Sequence, residues 1–138
     1  MITTNSDGGA RGNPGNGALG VVVRKGDEII EKYSEVLNGK VTNNVAEYWE
    51  LIRSLQLASE YTKGEITCIL DSELIVKQLL GEYRVKNEFL KKLFLKVQKL
   101  QDNFEKINYQ HVKRTNKYQK VADYLLNQEL DKKFGPRR

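Results

Sequence analysis

The chain is 138 residues long, with 23 Lys and Arg against 18 Asp and Glu and a formal net charge of +5. That length fits one domain around a single core and excludes a multidomain assembly. No segment approaches the ~20 apolar residues of a membrane span; the opening Met1-Ile-Thr-Thr-Asn-Ser-Asp7 lacks the basic and apolar regions of a secretory signal, and Cys68 is the single cysteine, so a cytoplasmic protein without a disulfide framework is expected.

Ile2–Asp7 reads as a strand, unusually polar for a central one, and a Gly-rich stretch follows it. Leu19-Gly-Val-Val-Val23 and Ile29–Leu37 are β-branched apolar runs around the turn Lys25-Gly-Asp-Glu28, which predicts a three-stranded antiparallel meander. From Val45 to Tyr61, apolar side chains at Tyr48, Leu51, Ile52, Leu55 and Ala58 recur with a period of about 3.6, and Lys63-Gly64 follows, so this segment is a helix. Ile66–Leu70 is a short apolar run between Gly64 and Asp71 that suits a strand buried on both faces. A second helix is predicted over 72–80, a third is marked by Phe89, Leu93, Val97, Leu100 and Phe104, a last strand covers Ile107–Val112, and a final helix from Val121 to Phe134 stops at Gly135-Pro136. The order βββαβααβα predicts an α/β fold with one sheet flanked by helices. No repeat or low-complexity linker divides it, so one domain is expected over 1–134 with a basic tail at 135–138. Cys68, Trp49, Phe89 and Phe94 are read as core.

Charge is uneven along the chain. Residues 1–85 hold nine basic and twelve acidic side chains, whereas residues 86–138 hold fourteen and six, a net of +8. A phosphate backbone would be drawn to such an end through counterion release. A solvated Lys-rich face is the ordinary alternative.

Gly15-Asn-Gly-Ala-Leu-Gly20 fits the dinucleotide-binding pattern G-x-G-x-x-G, and Glu35 stands where a ribose-binding acid would be. The context is wrong, because Gly20 opens Val21-Val-Val23 and not a helix. A P-loop and a zinc-type His/Cys spacing are also lacking.

Four carboxylates carry the remaining chemistry, and each has an ordinary reading alone. Asp7 before Gly8-Gly9 suits a turn, Glu47 closes a capping box from Asn44, Asp71 suits a helix N-cap, and Asp123 suits a helix-surface ion pair. Their placement argues otherwise. Asp7 and Asp71 both end predicted strands that can lie side by side, and carboxylates brought that close repel unless a cation neutralises them. Hard oxygen ligands select magnesium or manganese, and a pair of such ions serves phosphoryl transfer.

Asp7-Gly-Gly-Ala-Arg-Gly-Asn-Pro-Gly15, Thr42-Asn-Asn-Val-Ala-Glu-Tyr48, Leu70-Asp-Ser72 and Val121-Ala-Asp-Tyr-Leu-Leu-Asn127, in this order and spacing, resemble type 1 ribonuclease H across residues 1 to about 133. The resemblance implies a five-stranded mixed sheet in the order 3-2-1-4-5. It also implies endonucleolytic cleavage of the RNA strand of an RNA/DNA hybrid, leaving 3′-hydroxyl and 5′-phosphate ends. Asp7, Glu47, Asp71 and Asp123 would then bind two magnesium or manganese ions. Asp7 and Asp71 would serve both, Glu47 the leaving-group side and Asp123 the water side. Gly8, Asn13, Asn43, Ser72 and Glu73 would contact the hybrid, where the RNA 2′-hydroxyl is the distinguishing group. Thr42 and Asn13 would grip a phosphate of the DNA strand, and Asn43 or Asn44 would also cap the helix. A monomer acting on hybrid is expected, with double-stranded RNA an open second substrate.

Departures from the family pattern are informative. Gly81-Glu-Tyr-Arg-Val-Lys86 runs straight into the third helix, so the basic protrusion of bacterial members is missing, and Lys91, Lys92, Lys96 and Lys99 could replace it. No His follows a Lys-Gly pair in the catalytic loop. The segment His111-Val-Lys-Arg114 resembles instead the His-Val-x-Arg motif of shorter members, and Gln119 stands where those carry Asn. Arg114 is expected to assist near Asp123, and His111 to be packed or hydrogen-bonded. A non-catalytic hybrid-binding module and a fold-sharing transferase are the rival readings. Intact acids argue against the first, and the paired first and second motifs against the other.

Overall fold

The computed structural model describes residues 1–136. Its elements run β1 (Ile2–Gly12), β2 (Gly15–Lys25), β3 (Glu28–Val41), α1 (Asn43–Ala58), β4 (Glu65–Leu70), α2 (Glu73–Leu79), α3 (Glu88–Gln101), β5 (Lys106–His111) and α4 (Lys117–Phe134). The five strands form one mixed sheet in the order β3-β2-β1-β4-β5, as the family resemblance implies. β1, β2 and β3 are antiparallel neighbours, while β4 pairs parallel with β1 and with β5.

Helices cover both faces. Leu19, Val21 and Val23 of β2 join Ile66, Cys68 and Leu70 of β4 and Leu51, Ile52 and Leu55 of α1 in the main core, on which α3 lays Leu93 and Val97. On the opposite face Ala18 meets Leu126 and Leu130 of α4. Two-sided burial explains why β2 and β4 read as continuous apolar runs. Among the described residues, no helix is long and apolar enough to cross a membrane.

The Gly-rich stretch after Asp7 is not a loop. It continues β1 to Gly12 in unbroken register with β2, from Ile2↔Lys25 to Gly12↔Gly15. Asp7 is therefore an extended strand residue and not a turn former. α1 begins earlier than its apolar period suggests, because Thr42 caps it by accepting from the Val45 amide at 3.2 Å. This displaces the expected capping box at Asn44 and Glu47. Ser72, not Asp71, caps α2, and Asn87 and Asn116 cap α3 and α4.

Three packing expectations, for Phe89, Trp49 and His111, also need revision. Phe89 is 54% exposed, since the packed stripe of α3 runs through Leu93 and Val97 and the preceding turn faces solvent. Trp49 is only half-buried. His111 is exposed at the end of β5 and not packed. Of the tail expected over 135–138, Gly135 ends α4 at φ 85°, Pro136 follows, and the last two residues lie outside the described ones.

Candidate active site

Register places the first two acids. β1 and β4 pair from Ile2↔Ile66 to Ser6↔Leu70 and then part, so Asp7 and Asp71 are the next residues on adjacent parallel strands, at their carboxyl ends. Such a divergence is where open α/β sheets build sites.

Two glycines bring in the other two. A Cβ on Gly8 would lie 2.4 Å from the Ala46 carbonyl oxygen, and one on Gly20 would lie 2.2 Å from that of Ala122. Only glycine lets α1 and α4 come this close to the sheet, from opposite faces. The residues following those carbonyls are Glu47 and Asp123, and Gly20 is the cross-strand partner of Asp7. A cleft of about 330 Å³ results, lined by Asp7, Gly8, Asn43, Glu47, Arg114 and Asp123 among others.

The electrostatics show how crowded the acids are. The Asp7 carboxyl is pushed up to about 8, chiefly by burial and then by the Asp71 charge and by Asp123. Burial raises Glu47 to about 7 against a lowering hydrogen bond from Ser72. Asp71 is also raised by burial, with Arg114 opposing. Arg114 donates from Nε to Asp71 Oδ2 at 3.1 Å. Asp123 is exposed and accepts from Asn127 Nδ2 at 3.2 Å.

The segment before Asp7 is clamped from both faces. Gln119 of α4, buried, accepts from Asn5 Nδ2 and donates to the Ser6 carbonyl, both at 2.9 Å. From the α1 side, Ser6 Oγ donates to Glu50 Oε1 at 3.0 Å, and Glu50 is fully buried with Oε2 unpartnered. Burial and the nearby Asp7, Asp71 and Glu47 raise the Glu50 carboxyl far above its ordinary value. These bonds account for the polar character of a central strand.

A second cleft, of about 440 Å³, lies where the N-termini of α1 and α3 meet and is lined by Asn13, Thr42, Asn44, Asn87 and Phe89 among others. Asn13 Oδ1 accepts from the Asn43 amide, and Asn43 Oδ1 accepts from the Ala10 amide, each at 3.0 Å. Asn43 thus ties the β1–β2 turn to α1 and does not cap. Two helix N-termini with short amide side chains suit a phosphate.

Of the residues expected to touch substrate, Gly8 and Asn43 line the acid cleft, Asn13 and Thr42 the second one, and Ser72 lies beside Glu47. Glu73 joins neither, being exposed and paired with Lys77 at 3.0 Å. Sequence reasoning does not single out Asn127, Asn87, Glu50 or Arg11. For Asn127 a signal exists, since it lies one helical turn beyond Asp123. For Arg11 none does: it reaches from the Gly-rich strand to Asp131 at 2.7 Å and Asn127 at 3.1 Å.

The donor set suits a hard divalent cation. It is all carboxylate, and a cation there would reverse the elevated proton affinities of the partly buried Asp7, Glu47 and Asp71. Among the described residues, no three of these groups close on one point as a finished cage.

A family model described as reverse transcriptase-like matches residues 5–128. The bifunctional protein Rv2228c of Mycobacterium tuberculosis is 39% identical over 132 residues, which are 94% of this chain and 35% of that protein. The chain thus spans about a third of that relative's length. A crystal structure of RNase H1 from the halophilic archaeon Halobacterium salinarum superposes with a TM-score of 0.89 at 33% identity, covering 95% of this chain and 98% of that one. LC11-RNase H1, solved in complex with an RNA/DNA hybrid, gives a TM-score of 0.86 at 35% identity, covering 96% and 98%.

Proposed function

The chain belongs to the ribonuclease H-like family, and from that premise we propose that it is an endoribonuclease that hydrolyses the RNA strand of RNA/DNA hybrids, leaving 3′-hydroxyl and 5′-phosphate ends. The observation that carries this reading is the convergence of Asp7, Glu47, Asp71 and Asp123 at one end of the sheet, where burial and neighbouring carboxylates raise the proton affinities of Asp7, Glu47 and Asp71. Within the family it is read as a type 1 short form, without the basic protrusion and with the His111-Val-Lys-Arg114 segment.

Asp7 and Asp71 form the shared centre of the site, flanked by Glu47 from the α1 side and Asp123 from the α4 side. Together they would hold two magnesium or manganese ions. When bound, those ions supply charge neutralisation at the phosphate and a lowered pKa for the attacking water. The protein's part is to hold the carboxylates in place, which the two-sided clamp on Asn5 and Ser6 supports. Gly8, Asn43 and Ser72 border the acids, where short polar groups and backbone can test for a 2′-hydroxyl. Thr42 and Asn13, with Asn87 added by the fold, form the pocket for a phosphate of the DNA strand. Arg114 is free on its outer side to pair bidentately with a phosphate. The same reading covers a monomer in the cytoplasm with a catalytic domain over 1–134.

One assay tests it. End-labelled RNA/DNA hybrid, RNA duplex and DNA duplex are each incubated with magnesium or manganese, beside the Asp71→Asn protein. Cleavage of the RNA strand of the hybrid by the native protein alone is the expected result, and metal-independent cutting, or none, overturns the reading.

A further inference from the structure

Beyond the phosphate pocket lies a groove that the acid site does not use. It measures about 490 Å³ and runs between the end of β3, α1 and the start of α3, lined among others by Lys40, Thr42, Trp49, Arg53 and Phe89. It shares Thr42, Val45 and Phe89 with the cleft that holds Asn13 and Asn87, so the two adjoin along a common wall. None of these three residues lines the acid cleft.

The lining combines aromatic surface with positive charge. Phe89 is 54% exposed, a large apolar ring on a helix otherwise rich in lysine. Trp49 has the Lys96 ammonium 4.9 Å and the Arg53 guanidinium 5.1 Å from its ring centroid. Arg53 is neutralised by Glu35, whereas Lys96, which does not line the groove itself but stands over the Trp49 ring that does, has no carboxylate partner among the described residues. Basic groups interleaved with aromatic rings form the surface on which unpaired nucleotides stack, with little demand on base identity. A groove of this volume is ligand-sized.

We propose that this groove binds unpaired nucleotides of the DNA strand where it runs beyond the hybrid, with Phe89 as the stacking platform and Lys96 as the phosphate partner. The proposal rests on the hybrid reading above, and continuity with the Thr42–Asn13 pocket assigns the groove to the DNA strand. The substrate class it favours is therefore a junction of hybrid and single-stranded DNA, over a blunt hybrid.

The test is steady-state cleavage of one hybrid of fixed paired length in four forms: blunt, with about four unpaired nucleotides on the 5′ or the 3′ end of the DNA strand, or with the same extension on the RNA strand. The readout is the ratio of KM for the blunt substrate to KM for each extended one. One of the two DNA extensions is expected to lower KM at least ~5-fold, the lower end of what stacking one base supplies. Phe89→Ala and Lys96→Gln should each bring that ratio towards one. Both side chains are exposed, so melting temperatures should stay at the native value and confirm folded variants. A ratio near one for both DNA extensions, a gain that survives both substitutions, or an equal gain from the RNA extension overturns the proposal while leaving the hybrid reading intact. Failure to cleave even the blunt hybrid would instead overturn the hybrid reading, and this proposal with it.

Discussion

Arg114 donates from Nε to Asp71 Oδ2 at 3.1 Å, and the pair is lopsided: the arginine side chain is 90% exposed and the aspartate 6%. The bond holds a buried carboxylate with a cation that stands almost wholly in water. Such a pair contributes little stability, because solvent screens it. Its guanidinium is therefore cheap to release and stays charged at any working pH, which suits a group that leaves Asp71 for a substrate phosphate.

Arg114→Ala is accordingly expected to lower kcat at least ~10-fold, about 1.4 kcal/mol of transition-state stabilisation, with a small change in melting temperature. His111, exposed and outside the acid cleft, is expected to behave differently. His111→Ala should leave stability within about 0.5 kcal/mol and turnover near the native value. A large loss in His111→Ala beside an active Arg114→Ala would reverse the assignment.

Asp7→Asn and Asp71→Asn should both abolish cleavage but differ in chelator. Burial and like charges raise the Asp7 carboxyl to about 8 with only a minor opposing effect of Arg114, whereas at Asp71 both the charge and the hydrogen bond of Arg114 oppose the rise. Removing the less compensated charge relieves more repulsion. Melting at pH 8 should therefore rise more for Asp7→Asn than for Asp71→Asn. Near-normal cleavage by either variant would remove it from the metal-binding set.

The same raised acids set a pH dependence. Asp7 has an ordinary value of 3.8 and a folded value of about 8, so between these the native state binds more protons than the unfolded chain. Stability then falls as pH rises through that window. Glu47, raised from 4.5 to about 7, acts in the same sense. In chelator the protein should melt at least ~4 °C lower at pH 8 than at pH 5, near 1 kcal/mol for a chain of this size. Saturating magnesium should shrink the difference, and Asp7→Asn should remove most of it. A melting temperature that climbs from pH 5 to pH 8 in chelator would contradict the burial described for these groups.

Gln119→Leu tests the clamp on β1. The substitution keeps volume but strands the Asn5 amide and the Ser6 carbonyl, each bonded to Gln119 at 2.9 Å. Leaving buried groups unpaired costs ~1–3 kcal/mol each. Because α4 carries Asp123 and β1 carries Asp7, slack between them should also raise the magnesium concentration needed for half-maximal activity. Gln119→Asn, shorter but still able to bond, should fall between. Lost stability with unchanged magnesium dependence would make the residue purely structural.

Lys92, Lys96 and Lys99 form an exposed basic stripe on α3. Changing all three to Ala should flatten the plot of log affinity for hybrid against log salt by ~0.9 for each phosphate that is no longer neutralised. An unchanged slope would mean that the stripe is merely solvated and that nothing on α3 replaces the absent protrusion.

Much of this protein is written in local order. Period and β-branched runs mark most of the nine elements, and the strand order follows from family motifs whose spacing is preserved. The acids are legible because each lies at a fixed step from a strand end or helix start. Their ordinary readings fall for a tertiary reason: Thr42 and Ser72 take the cap positions, and Asp7 stays in a strand whose neighbour β4 has turned away. Partners across the sheet are out of reach of such reasoning. Asn5 and Gln119 are 114 positions apart, and nothing near either residue says which side chain will cross the sheet to meet it. The same holds for Glu50, which reads as one more helix-surface charge until α1 is pressed onto Gly8. It holds too for Phe89, an apolar residue in helical phase whose exposure is decided by how α3 lies against α1. Local periodicity sets which residues can face inward. Strand order and helix approach decide what they face, because those contacts exist only once distant segments are packed together.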